Sequence, residues 1–288
     1  MDGSLVAWVL AGALLHAGWN ALVKAGRDKA LDTALVHLMA AAVALPALVW
    51  TGPPVAATLP FVLGSMAIHT GYYIALAGAY RHGDLGLTYP IMRGVAPLLV
   101  ALGSATWIGE APSGTAWLGI LGVALGVAMV GLPRPGRALQ HGKAVGYALA
   151  NACIIAAYTV VDGLGVRTEV AEGGQALRYV LMLFVVDGLP YAMLLWLRRG
   201  PSGRPALWAY AQRRWPVATL GGAASIGAYA IALWAMTQAP VASVAALRET
   251  SVLFATLIGA WLLKEPLGRS RALGAATIVA GVVALRLG

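Results

Sequence analysis

Charged residues are scarce in this sequence. Only 11% of the 288 residues are Asp, Glu, Lys or Arg and 60% are apolar, whereas soluble globular domains have about 25% charged residues. Apolar runs of roughly 20 residues, the length that a helix needs to cross the hydrocarbon core of a bilayer, occupy most of the chain. The composition therefore predicts an integral membrane protein with little room for a soluble domain.

Other absences narrow the class further. The short alternating segments of an outer-membrane barrel are missing, so an α-helical bundle is favoured. The single cysteine, Cys153, excludes an internal disulfide. The first apolar run has no basic segment before it and continues to Lys24, which predicts a first spanning helix and not a cleaved signal peptide.

Clustered metal ligands, a phosphate-binding loop and a nucleophile with a nearby base are also missing from the sequence. We therefore expect no metal, no cofactor and no enzyme activity; an intramembrane enzyme or a lipid-binding scaffold stays as the alternative from a different class. The formal net charge of +9 does not indicate nucleic-acid binding, because the basic residues lie in short breaks between apolar runs, where they orient helices in the membrane.

Ten apolar runs predict ten transmembrane helices. Their approximate spans are 4–24, 31–50, 57–80, 85–107, 114–132, 144–164, 176–197, 215–236, 240–263 and 270–287. A break at 133–143, rich in proline and arginine, divides them into five and five.

The second group of five helices repeats features of the first. A step of 155 positions carries Arg93 onto Arg248 and Glu110 onto Glu265 with no insertion or deletion. The same step carries two glycines onto glycines, Gly119 onto Gly274 and Gly126 onto Gly281. The chain is therefore interpreted as a duplication.

We predict two repeats, 1–133 and 143–288, around a central cavity. Because each repeat has an odd number of helices, the second would cross the membrane in the inverted orientation. Many secondary transporters are built in this way, with a substrate site between the halves near the bilayer midplane.

Lysine and arginine are distributed unevenly among the breaks. Fifteen of the 20 lie in the breaks after predicted helices 1, 3, 5, 7 and 9, whereas the termini and the other breaks hold three. By the positive-inside rule, both termini are expected to face outward.

Polar and aromatic side chains share single faces of several predicted helices. Spacings of three and four residues place His16 and Asn20 on one face of helix 1. The same spacings place Tyr158 and Asp162 on one face of helix 6. Such groups either join helices through hydrogen bonds or line a cavity, and their recurrence in both halves favours a cavity. The predicted substrate-binding residues are His16, Trp19, Asn20, His69, Tyr73, Tyr89, Arg93, Tyr158, Tyr229 and Arg248.

Arg93 and Arg248 lie inside apolar runs, where an arginine costs about 2.5–3.5 kcal/mol even on the lenient insertion scale. They could snorkel toward an interface or bind a carboxylate, which the guanidinium fork suits well. Glu249 follows Arg248, but adjacent helix positions do not face each other, so partners are expected on other helices. Pro97, whose ring removes the hydrogen bond to the carbonyl of Arg93, predicts a kink and a hinge in helix 4.

Small residues form a stripe on helix 5 that recurs on helix 10. The stripes are Gly119, Gly122 and Gly126, and Gly274, Thr277 and Gly281. They let helices approach closely, and packing between the halves is favoured over dimerisation, so a monomer is expected. Glu110 and Glu265, each with a proline soon after, are expected to cap or mark helix ends.

The helix ends carry a family resemblance. In each half a helix ends in Gly109-Glu110 or Lys264-Glu265-Pro266 and a glycine-rich helix follows, which resembles the EamA repeats of the drug/metabolite transporter superfamily. The resemblance covers nearly the whole chain, and His16-Ala17-Gly18-Trp19-Asn20 is similar to the start of some bacterial members. It implies ten helices, alternating access and a central cavity lined by helices 1, 3, 4, 6, 8 and 9.

Two features depart from this family. Its members usually place both termini in the cytoplasm, opposite to the expectation from the charge distribution. The small multidrug exporters of the superfamily use a glutamate on helix 1 for proton coupling, and helix 1 here has none, which weakens the case for a cationic-drug antiporter.

The candidate cavity residues resemble those of exporters of aromatic and other neutral amino acids. The sequence therefore predicts a multi-pass protein of a bacterial inner membrane that exports such amino acids, with an exporter of drugs or other metabolites as the alternative. Its expected partners are a small-molecule substrate and the lipid bilayer. The predicted roles are stacking on the substrate side chain for Trp19, Tyr73, Tyr89 and Tyr158, hydrogen bonding for Asn20 and His69, and carboxylate binding for Arg93 or Arg248.

Overall fold

The computed structural model describes residues 1–82, 85–131, 142–262 and 268–288. The regular structure in these ranges is helical. The helices are α1 (Gly3–Lys24), α2 (Lys29–Thr51), α3 (Leu59–His82), α4 (Leu85–Gly103), α5 (Gly114–Gly131), α6 (Gly142–Ala171), α7 (Ala176–Met236), α8 (Val241–Arg248), α9 (Ser251–Leu262) and α10 (Arg269–Leu287). Nine helical segments of the described chain are long and apolar enough to cross a membrane. The prediction of an all-α membrane protein is confirmed.

Local chemistry sets the ends of the second helix. The Asp28 carboxylate accepts hydrogen bonds from the backbone N–H groups of Ala30 and Leu31, both at 3.1 Å, and so satisfies donors that the first turn leaves unpaired. At the other end, Gly52 has a φ of +87°, a backbone conformation that glycine adopts without steric cost. The helix α2 therefore has a defined start and a defined stop.

The longest helix, α7, takes the place of two predicted helices, 176–197 and 215–236, and of the connection between them. Its 61 residues correspond to about 90 Å at 1.5 Å per residue, roughly three times the thickness of the hydrocarbon core. Gly200 interrupts it with φ 62° and ψ −179°. Pro201 then begins the second part, at a position where its missing N–H has no helical partner to lose.

The polar segment after Gly200, a break between two predicted helices, is helical. Its side chains are held by Asp32 of α2, which is only 2% exposed. The Asp32 carboxylate accepts a hydrogen bond from Tyr210 at 2.7 Å and pairs with the Arg214 guanidinium at 2.9 Å. Tyr210 and Arg214, one helical turn apart, therefore share a buried carboxylate as their partner.

A second correction concerns the predicted helix 240–263, which is divided into α8 and α9. The N–H groups of Glu249 and Thr250 bond to carbonyls three residues back, at 3.0 and 3.1 Å, instead of four. The Thr250 hydroxyl also donates to the Leu247 carbonyl at 2.7 Å, and such local bonds compete with helix continuation. By contrast, α4 continues through Pro97, so the interruption lies in the second half and not beside the predicted hinge.

The helices α5 and α10 pack through the two small-residue stripes. A Cβ built on Gly126 would lie 2.7 Å from the carbonyl oxygen of Gly274, and one built on Gly281 would lie 2.8 Å from that of Gly119. Only residues without side chains let the two backbones come this close. The prediction that the stripes pack against each other within the chain is confirmed.

Glu110 caps the start of a helix other than the one that it follows. Its Oε2 accepts a hydrogen bond from the N–H of Val241, the first residue of α8, at 2.9 Å, and its Oε1 pairs with Arg167 of α6 at 2.6 Å. Glu265 and most of the predicted break at 133–143 lie outside the described residues. At the same end of the bundle, the Met1 ammonium donates to the carbonyl of Arg286 at 3.0 Å.

Candidate functional site

A cavity of about 140 Å³ lies among α1, α2, α3, α4, α6, both parts of α7 and α8. All ten predicted substrate-binding residues line it. The family resemblance implied six lining helices, and the structure adds α2 and the first part of α7. The further lining residues are His37, Tyr72, Leu183, Phe184, Asp187 and Ser225.

Arg93 is buried, with 8% of its surface exposed, and its guanidinium is held by protein groups. Its Nε lies 2.7 Å from Oε2 of Glu249. Its Nη2 donates to the Ser251 hydroxyl at 3.2 Å and lies 3.4 Å from Nε2 of His16. The expectation of a partner on another helix is correct, and an arginine this well coordinated does not snorkel to an interface.

The partner of Arg93 was hidden in the sequence because Glu249 follows the other arginine. The break between α8 and α9 takes Glu249 out of regular helix, and its side chain reaches α4 instead of solvent. In the first half the equivalent position, 155 residues earlier, is Gly94. A Cβ there would lie 3.2 Å from the carbonyl oxygen of Ala124, so a side chain at this position would require the neighbouring backbone to shift.

Arg248 has a different environment from Arg93. Its guanidinium carbon lies 4.9 Å from the ring centroid of Tyr229, a cation–π distance. Within the described chain, Arg248 has neither an ion pair nor a hydrogen bond, although it lines the cavity. The two arginines therefore have different environments, and Arg248 is the one that lines the cavity without an ion pair or hydrogen bond to the described residues.

The aromatic lining forms a connected series of rings. His69 stacks on Tyr158 with centroids 4.2 Å apart, and Tyr73 stacks on Tyr191 at 4.5 Å. Trp19 meets His16 and His37 edge to face, at 5.2 and 6.3 Å. Three of the four predicted stacking residues, Trp19, Tyr73 and Tyr158, therefore belong to one network of ring contacts. The fourth, Tyr89, lines the cavity outside that network.

Two predicted hydrogen-bonding residues already have protein partners. The Asn20 amide donates to the carbonyl of His16 at 2.8 Å. The Nδ1 atom of His69 lies 3.0 Å from the carbonyl oxygen of Ser65, which orients the ring toward Tyr158. Their roles in substrate binding stay predictions. The Oδ1 atom of Asn20 and the Nε2 atom of His69 take no part in these two contacts.

Two aspartates lie beside the cavity, and only one of them accepts hydrogen bonds from protein side chains. Asp162 is fully buried and accepts hydrogen bonds from the hydroxyls of Tyr179, at 3.0 Å, and Tyr229. Asp187, on the first part of α7, lines the cavity and has His37 and Tyr73 as electrostatic neighbours. The sequence reasoning did not single out Asp187, although a carboxylate in the middle of an apolar run is by itself a sign of function.

No group of three or more His, Cys, Asp or Glu side chains that could hold a metal ion occurs among the described residues. The cavity instead combines aromatic faces, one paired arginine, one unpaired arginine and an aspartate. This combination suits recognition of a small polar organic molecule with an apolar body.

Comparison with known proteins adds the family and the fold. The sequence model of the EamA-like transporter family matches residues 142–287. No curated protein matches the chain. A crystal structure of another protein is similar over 100% of this chain and 98% of its own, with a TM-score of 0.76 and 20% sequence identity. At this identity the likeness shows the fold.

Proposed function

Because this chain belongs to the EamA-like transporter family, we propose that it exports aromatic or other neutral amino acids across a bacterial inner membrane. The observation that carries the proposal is the cavity, where an unpaired guanidinium, that of Arg248, lies within a wall of aromatic rings. A guanidinium fork suits a carboxylate, and the rings suit an apolar or aromatic side chain. The cavity volume of about 140 Å³ is close to that of an engineered cavity that admits benzene, roughly 150 Å³.

The transport cycle follows from the proposed repeats, 1–133 and 143–288. Two inverted halves of five helices would rock about the central cavity and open it to each side in turn. The bonded ends of the chain, Met1 and Arg286, support an even number of membrane crossings. Ten crossings result if α7, with its break at Gly200, crosses twice and if α8 and α9 together cross once.

Uptake into vesicles tests the substrate class. We expect purified protein in vesicles to accumulate labelled phenylalanine, and an excess of unlabelled tryptophan or leucine to reduce that uptake. A cationic dye and a sugar phosphate, added in the same excess, should leave it unchanged, because neither presents a carboxylate beside a compact apolar body. Movement of the dye alone, with phenylalanine excluded, would reject the proposed substrate class.

The membrane orientation has a separate test. A reporter that is active only in the cytoplasm, fused after Gly288, is expected to be inactive, since the lysine-rich and arginine-rich breaks lie at the opposite membrane face. The same reporter inserted within the break at 133–143 should be active and serves as the matched control. Strong reporter activity at the C-terminus with none at the break would contradict the proposed orientation.

A further inference from the structure

The charges around the cavity divide into satisfied and unsatisfied groups. Arg93 is neutralised by Glu249 at 2.7 Å, and Asp162 accepts from two tyrosine hydroxyls. Arg248 and Asp187 also line the cavity, but neither has an ion pair or hydrogen bond to the part of the chain that the structure describes. One positive and one negative group are therefore left to face the open space.

Asp187 is presented to the cavity by the first part of α7. Phe184 lies three residues before it and Leu183 four residues before it, so the three side chains share one helix face, and all three line the cavity. The charged groups facing Asp187 are few: its electrostatic neighbours are the His37 ring of α2 and the Tyr73 phenol of α3. No lysine or arginine of the described chain neutralises it.

The two unsatisfied groups each adjoin one member of an aromatic pair. Phe184 meets Tyr229 edge to face, with centroids 6.2 Å apart, and Arg248 lies over the Tyr229 ring at 4.9 Å. Asp187 lies one helical turn from Phe184 and has His37 and Tyr73 as its electrostatic neighbours. A ligand that contacts both groups would therefore cross the Phe184–Tyr229 pair.

An unpaired charge at membrane depth is unfavourable, whether it is positive or negative. A ligand with a carboxylate alone would neutralise Arg248 and leave Asp187 unpaired, and a ligand with an amine alone would do the reverse. A zwitterion neutralises both groups at once and adds no net charge to the cavity. Electrostatic complementarity of this kind determines specificity by penalising the ligands that fit only half of the site.

We infer that Arg248 and Asp187 are the two poles of a site for zwitterionic amino acids, in which Arg248 binds the carboxylate and Asp187 binds the ammonium group. Arg93, held by Glu249 and Ser251, positions the site and does not bind the substrate carboxylate. The inference rests on the proposed function and deepens it, because it requires both charged groups of the amino acid and assigns each to one residue.

Three ligands with the same phenyl ring separate the contributions of the two poles. They are phenylalanine, 3-phenylpropanoate, which lacks the amine, and phenethylamine, which lacks the carboxylate. Binding of each is measured by titration of the purified full chain in detergent, and transport is followed in vesicles. For the unaltered protein we expect phenylalanine to bind at least about tenfold more tightly than either analogue, the factor expected from one charge-assisted hydrogen bond.

Two variants that each remove one charge then assign the residues. Asp187→Asn should weaken phenylalanine binding at least about tenfold and should not weaken 3-phenylpropanoate binding. Arg248→Gln should weaken both phenylalanine and 3-phenylpropanoate and should not weaken phenethylamine binding. Asp187→Glu, which keeps the charge, should recover part of the phenylalanine affinity. Asp28→Asn, which alters an exposed ion pair outside the cavity, is the matched control and should change none of the three affinities.

The outcomes distinguish the inference from the proposed function. If the unaltered protein transports phenylalanine but Asp187→Asn weakens 3-phenylpropanoate as much as phenylalanine, Asp187 acts only on the shape of the cavity and the inference is rejected. If Arg93→Gln, and not Arg248→Gln, selectively removes carboxylate binding, the assignment of the poles is rejected. If the unaltered protein neither binds nor transports any amino acid, the proposed function fails and the inference fails with it. Elution of each variant as a single species on size exclusion verifies that it has folded.

Discussion

Replacement of Glu249 by alanine is expected to lower the free energy of unfolding by about 3–5 kcal/mol. Glu249 is 5% exposed and its carboxylate lies 2.7 Å from the Arg93 guanidinium. Its removal leaves a buried arginine whose nearest remaining groups, the Ser251 hydroxyl and the His16 ring, carry no negative charge. The shift in thermal midpoint in detergent, measured by tryptophan fluorescence, reports the loss.

The chain offers a matched control for this substitution. Arg199 and Asp28 also form an ion pair, at 3.1 Å, but their side chains are 48% and 34% exposed. Arg199→Ala should therefore cost no more than about 1 kcal/mol. A double substitution of the buried pair, Arg93→Met with Glu249→Leu, should recover most of the stability, since apolar replacement of both partners removes the stranded charge. Equal midpoints for Glu249→Ala and Arg199→Ala would contradict the assignment of a buried pair.

Replacement of Gly126 by alanine is expected to destabilise the protein by about 1–3 kcal/mol, the usual effect of overpacking. The added Cβ would lie 2.7 Å from the backbone carbonyl oxygen of Gly274 and 2.8 Å from the backbone N of Ile278. Backbone atoms cannot relieve a clash by changing rotamer as a side chain can, so α5 and α10 would have to move apart. A lower thermal midpoint and a larger population of unfolded protein in a detergent titration would report this separation.

Gly146 provides the control for this second prediction. It lies in α6, is exposed, and a Cβ built on it meets no other atom within 4 Å. Gly146→Ala should leave stability unchanged or raise it by up to about 1 kcal/mol, because alanine is the better helix former. A midpoint for Gly126→Ala as high as that for Gly146→Ala would show that the two helices are less closely packed than the structure has them.

The sequence was informative where the physics is local. The length of apolar runs predicts membrane helices, and spacings of three and four residues place His16, Trp19 and Asn20 on one face. That face does line the cavity, as do the other seven predicted binding residues. The glycine stripes could be paired because both halves carry them at the same positions, and only small residues allow that contact.

The features that the sequence did not reveal depend on contacts between distant residues. The ion pair of Arg93 with Glu249 joins positions 156 residues apart, and it requires a helix break that local hydrogen bonds at Thr250 create. The polar segment after Gly200 is helical because Asp32, on another helix, binds Tyr210 and Arg214. Asp187 was visible as a charge in an apolar run, but its unpaired state follows only from its neighbours in space.

The difference between Gly94 and Glu249, at matching positions of the two proposed repeats, has a consequence for how such a protein could have arisen. A homodimer made from a single five-helix unit would place the same residue beside both of its arginines. If that dimer were symmetric, both arginines would be unpaired or both would be neutralised. Different residues beside Arg93 and Arg248 therefore require two separately encoded halves, each of which can change without the other.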